Sequence, residues 1–151
     1  MNTLANEQSK AEILRRLKSV RPDSPRRWGR MTAPQMICHC SDAYRMAAGS
    51  RRVSDATSLV QRTVVKWIAL YLPLPWPRGI MTRPEIDQQA GGGTCPGDFA
   101  ADVAELGGLV ESFGAQQIDW PPHPIFGTLS KAEWLRWGYL HIDHHLRQFG
   151  A

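Results

Sequence analysis

Three of the chain's five histidines lie within five residues, His141-Ile142-Asp143-His144-His145, close to the C-terminus. Positions four apart share one face of a helix, so His141 and His145 are spaced to grip one metal ion. The plainer reading is a histidine-rich helix end that serves an interface or the helix macrodipole. Angles separate the three rings. At about 100° per residue from His141, the apolar residues Leu135, Tyr139, Ile142, Leu146 and Phe149 fall between roughly +80° and roughly +160°. His145 lies at about +40°, Trp134 at about +20° and Gln148 at about −20°, so all three border the core. His144 lies at about −60°, toward solvent or a subunit neighbour, while Arg136, Asp143 and Arg147 make the solvent face. His141 and His145 are the ligand pair, and His144 is a supporting residue.

A third ligand has to come from another element, and His39 is the candidate. Measured from His39, Ala43, Met36 and Ala47 fall between about +40° and about +80°, which turns the ring inward. A single inward histidine is more often a hydrogen-bonded core residue, and that reading stands beside the ligand reading. Asp42, at about −60°, either supports a ligand or faces solvent. His123, set among Pro121, Pro122 and Pro124, reads as a loop-shaping residue with a secondary claim on the site. Trp134 is a candidate pocket wall, and Gln148 a candidate partner for a ligand ring. Three neutral imidazoles suit a divalent ion, zinc or nickel first and iron or manganese next, and leave one position open. An ion so held lowers the pKa of a bound water or thiol. Cys38-His39-Cys40 is not a zinc finger, because adjacent helical residues diverge.

Helices must position these groups, and four can be placed from start signals. The first follows Ser9, with Glu12 in the reciprocal capping position and Ile13, Leu14, Leu17 and Val20 on one face. The second follows Thr32, with Gln35 completing a capping box and Pro34 in the first turn, and runs to about Ala48. Asp98 caps a helix with the seam Phe99, Val103, Leu106, Val110 and Phe113, where Gly107-Gly108 implies close packing. Ser130, with Glu133, caps the histidine helix. A further helix is expected over roughly Asp55–Leu72, where Val60, Val64, Trp67, Ile68 and Tyr71 give helical spacing. Pro73 to Gly97 lacks any period and is either a candidate lid or a simple surface wrap. No alternating strand pattern is present, so the chain reads as an all-α bundle forming one domain over residues 1–151.

Composition narrows the function. Residues 1–30 hold eight Lys or Arg against three acids, which accounts for the whole net charge of +4. No nucleic-acid motif accompanies that charge, so nucleic acid is not an expected partner. Three cysteines make no disulfide framework and suit a reducing compartment. The longest apolar stretch, Trp67 to Trp76, is broken by prolines and too short to span a bilayer. A cytoplasmic protein without a membrane partner is expected.

The chain resembles the DinB-like (YfiT-like) superfamily of metal-dependent enzymes. The resemblance rests on Met31-Thr32-Ala33-Pro34-Gln35-Met36-Ile37-Cys38-His39 and on His141-x-x-x-His145-x-x-Gln148. Within that fold it is more closely similar to a branch catalogued as a domain of unknown function. There the matching residues are His123-Pro124-Ile125-Phe126-Gly127-Thr128-Leu129-Ser130, Glu133-Trp134 and His144-His145-Leu146-Arg147-Gln148-Phe149-Gly150. The resemblance implies a four-helix bundle with up-down-down-up connectivity, in which the helix expected over 55–72 and the connection after it make an extra helix and a long loop between the second and third helices. It implies His39, His141 and His145 as ligands of one divalent ion, and a homodimer. It implies small-molecule substrates, including low-molecular-weight thiols, handled by transferases, isomerases or hydrolases. The alternative is a non-catalytic, metal-binding or stress-associated dimer.

Overall fold

The structure is a computed structural model that describes residues 1–80, 82–115 and 119–151. Helices α1 (Glu7–Leu17), α2 (Ala33–Ala47), α3 (Lys66–Tyr71), α4 (Phe99–Ser112) and α5 (Lys131–Gln148) build the fold. A π-helical turn, Gln61–Val65, leads into α3, and a 3-10 turn, Pro84–Ile86, lies in the long connection before α4. The β structure among the described residues is one isolated bridge, His123 with Gly127. The expected all-α class is therefore observed.

Local capping chemistry sets where most helices begin. Thr32 and Gln35 form the reciprocal box at α2, Ser130 and Glu133 the one at α5, and Asp98 accepts from Ala101 N–H at α4. The start of α1 differs from expectation. Asn6 accepts from the Ser9 N–H, so the helix opens at Glu7 and Ser9 lies inside it. Asn6 is as good a cap as serine, and starting there adds a helical turn.

The core lies where α2 packs on α4 and α5 while α1 bridges α4 and α5. Met36, Ile37, Cys40, Ala43, Tyr44 and Ala47 of α2 meet Leu106 and Val110 of α4 and Ile142 and Leu146 of α5. The Tyr44 hydroxyl donates to the Gly138 carbonyl at 2.9 Å, which satisfies a buried phenol. Gly138 is required by space. A Cβ there would sit 2.8 Å from the Phe113 ring and 3.0 Å from Leu4 Cδ1. Gly107 and Gly108 do not follow the close-packing expectation, since a Cβ at Gly107 only reaches Leu14 at 4.0 Å and one at Gly108 meets nothing.

The orientation expected of Arg136 is reversed. Arg136, assigned to solvent, is buried, donating through Nε to the Leu70 carbonyl and through Nη1 to the Asn2 carbonyl. It ties the N-terminus and α3 to α5. The segment before α3 also differs from expectation. Residues 55–58 are not helical, and of the segment leading through α3 only Leu70 is buried. Val60, Val64, Trp67, Ile68 and Tyr71 face outward. The helical period is observed and its stripe faces outward, because period fixes spacing and not which neighbour a face meets.

Candidate metal centre

α2 and α5 bring His39, His141 and His145 together. Their ligand atoms all lie within 4.8 Å of one another. Ring centroids are 5.3 Å apart for His39 and His141, 4.8 Å for His39 and His145, and 4.9 Å for His141 and His145. The i,i+4 spacing in α5 makes one edge of the triangle, and the packing of α2 on α5 makes the other two.

Each ring is held by a different device. His39 Nδ1 donates to the Ile86 carbonyl at 2.8 Å, in the 3-10 turn. A carbonyl only accepts, so Nδ1 carries the proton and Nε2 keeps its lone pair. His145 Nδ1 lies 3.0 Å from Gln148 Oε1, which sets the same tautomer. The Gln148 amide is in turn oriented by donating to the Trp28 carbonyl at 2.8 Å. The chain passes so close there that a Cβ on Gly29, itself at φ +78°, would sit 2.4 Å from Gln148 Nε2. His141 has no hydrogen-bonded partner at its buried Nδ1 and is held instead by stacking on Trp137, with centroids 5.0 Å apart and planes 13° from parallel.

Electrostatics keep the three rings neutral. Burial is the first cause in each case and lowers their pKa values, with His141 and His145 pushed well below the ordinary histidine value. The neighbouring histidines lower His141 and His145 further, since a second positive ring at this range is unfavourable. Neutral imidazole is the form that binds a metal. Two rings with committed Nδ1 protons and a third with an unsatisfied buried nitrogen match the donor set of a divalent ion.

The supporting residues fall out unevenly. Gln148 is a direct partner of a candidate ligand. Asp42 does not touch the rings. It is fully buried and accepts from Arg45, Arg51, Gln88 Nε2 and both the N–H and hydroxyl of Thr94. Those bonds tie residues 88–94 to α2. Arg51 also donates to the Glu85 carbonyl, beside the Ile86 that orients His39. Asp42 therefore holds the turn that holds the ligand. His144 corrects its expectation, since it is buried, with Trp28 at 5.7 Å, Trp76 at 6.2 Å and His145 at 5.2 Å. Its Nδ1 has no partner, and burial lowers its pKa to about 4. Trp134 is fully buried among Trp120, His123 and Trp137, a core residue rather than a wall of the site. His123 stacks on Phe126 and accepts at Nδ1 from the Ile125 and Phe126 N–H groups, which makes it the loop-shaping residue expected.

Four participants escaped the sequence reading. Trp137 stands four residues before His141, a spacing that pointed to it. Trp76, 6.3 Å from His141, comes from the aperiodic connection. Trp28 and the Ile86 carbonyl carry no local signal. Of the three candidate ligands, His141 alone retains intermediate exposure, so approach from outside runs along its edge, beside Trp76.

A family model described as a protein of unknown function, DUF1569, matches residues 7–151. No curated protein and no solved structure matches the chain.

Proposed function

The chain belongs to the DUF1569 family, and we propose that its histidine centre holds one divalent ion and serves a metal-dependent reaction on a small molecule. The observation that carries this is the convergence of three neutral imidazoles from two helices, two of them with Nδ1 already committed. Within this reading the helices form a DinB-like four-helix bundle, and the ion is zinc or nickel. A bound ion would act as a Lewis acid that lowers the pKa of a thiol or water beside it. The chain's own residues do the positioning. Ile86 and Gln148 orient His39 and His145, Trp137 braces His141, and Trp28 and Trp76 exclude water around His144. The substrate is a small molecule such as a low-molecular-weight thiol, entering along His141. A homodimer belongs to this reading on the resemblance, and its mass in solution tests it.

Elemental analysis of untagged protein tests the metal reading. About one ion per chain is expected, lost in His39→Ala and His141→Ala and kept in His144→Ala. Metal-free wild-type protein after exposure to zinc and nickel refutes it. The tryptophan cover favours one other reading, a non-catalytic metal-binding dimer. Cobalt-substituted protein separates the two. A visible spectrum that shifts when a small thiol is added supports the reaction, and an inert spectrum supports the non-catalytic reading.

A further inference from the structure

The outward face of the segment through α3 is unlike the rest of the surface that the described residues form. Leu59, Val60, Val64, Val65, Trp67, Ile68, Tyr71, Leu74 and Ile80 are all between 38% and 79% exposed. They form a run along a π-helical turn, a helix and the loop that leaves it. Nine large apolar side chains exposed in one segment mark an interaction face rather than singly scattered surface residues. The helical period is strong, yet its apolar stripe is turned away from the core. Water is a poor partner for such a face.

Charge decides what covers it. From Ala56 to Pro84 the chain holds Arg62, Lys66, Arg78 and Arg83 and no Asp or Glu. The acids at the rim are engaged, Asp55 with Thr57, Glu85 with the Ser54 N–H and Glu133 with Lys66 and Ser130, so Lys66 is paired and the exposed cations of the segment are Arg62 and Arg78. A second copy docked about a twofold axis would lay this face against itself and bring like charges together. An anionic bilayer surface supplies the opposite charge and an apolar layer at once. The side-chain chemistry agrees, with Trp67 and Tyr71 on the apolar face and only Arg, Lys, Gln and Thr as polar residues of the helical stretch. Gln61–Tyr71 is about 16 Å long at about 1.5 Å per residue, too short to cross a bilayer and suited to lying in its surface.

We propose that residues 59–80 dock this protein on an anionic lipid surface, with Val64, Trp67 and Ile68 entering the headgroup boundary, Tyr71 at its edge beside Glu133, and the exposed guanidiniums of Arg62, over Gly127, and Arg78, over Trp28, flanking the lipid phosphates. The same segment continues through Pro73 and Pro75 to Trp76 beside His141, so the docking face and the histidine centre share one stretch of chain. The inference is independent of whether a metal is bound.

Co-sedimentation with vesicles tests it, using the full chain. Vesicles of phosphatidylcholine with one third phosphatidylglycerol should retain the protein at least tenfold better than phosphatidylcholine alone, and half-molar salt should weaken that retention. Ile68→Glu and Val64→Glu should each lower retention at least tenfold. Both positions are exposed, so a far-ultraviolet spectrum and melting temperature unchanged from wild type will show that the fold survives. Arg62→Gln should lower retention on the anionic vesicles only. Absence of binding to either vesicle overturns the proposal, as does binding unchanged by both glutamate variants. A wild-type dimer that Ile68→Glu converts to monomer also overturns it, because the face then belongs to a second copy.

Discussion

At the residue scale, the decisive contacts are those that choose a tautomer. Gln148 accepts from His145 Nδ1 and donates to the Trp28 carbonyl, so one amide serves the ligand and the loop. Gln148→Leu is expected to lower metal affinity about 10–100-fold, the usual cost of losing a ligand's outer partner. Gln148→Glu keeps an acceptor for His145 and loses the donor to Trp28, so it should retain much of the affinity. Competition with a chromogenic chelator measures both. The His141 and His145 pair was legible because four residues make one helical turn. The acceptor for His39 was not, because a backbone carbonyl such as that of Ile86 has no identity in a sequence.

At the element scale, the site depends on how segments without regular structure are tied to helices. Asp42 gathers Arg45, Arg51, Gln88 and Thr94 around a fully buried carboxylate. Asp42→Asn removes the charge and sets an amide donor against Thr94 and Arg51. A loss of about 3 kcal/mol is expected by urea denaturation, from a broken buried ion pair. Metal affinity should fall with it, since the 3-10 turn that orients His39 hangs on the same bonds. Gly138→Ala, in α5, should cost about 1–3 kcal/mol by overpacking against Phe113 and Leu4 in the same assay. The capping boxes of α2 and α5 were legible because a cap and its partner lie three residues apart. The cap of α1 was misplaced by one turn, and the outward face of α3 was not legible, because local pattern does not say which of two competent caps wins or which side is covered.

At the scale of the whole molecule, buried neutral histidines make stability depend on pH. His123 is the cleanest case, since burial lowers its pKa to about 3 and protonating Nδ1 would break its two bonds from Ile125 and Phe126. The unfolded chain, with a histidine pKa of about 6.5, takes up the proton first as pH falls, so stability is complete above that value and declines from there toward about 3. Metal-free protein should therefore weaken across that window. His123→Asn, which offers an acceptor and no titration, should flatten the slope by up to about 1.4 kcal/mol per pH unit. Urea titrations at about pH 7, 6, 5 and 4, spanning the window, read that difference.

Helical class, four of the helices and the His141–His145 edge follow from spacings of three and four residues, which any α-helix imposes on its own side chains. The same spacing pointed His39 inward, and its motif joined it to that pair by resemblance. Packing of α2 on α5 then brought the three rings within reach. Tertiary structure alone decided that His144 lies beneath Trp28 and Trp76, that Trp134 stays in the core, and that the apolar stripe of α3 faces outward. Those outcomes depend on residues tens of positions apart meeting in space. Hydrophobic burial drives such meetings without direction, and only the assembled neighbours select which contacts form.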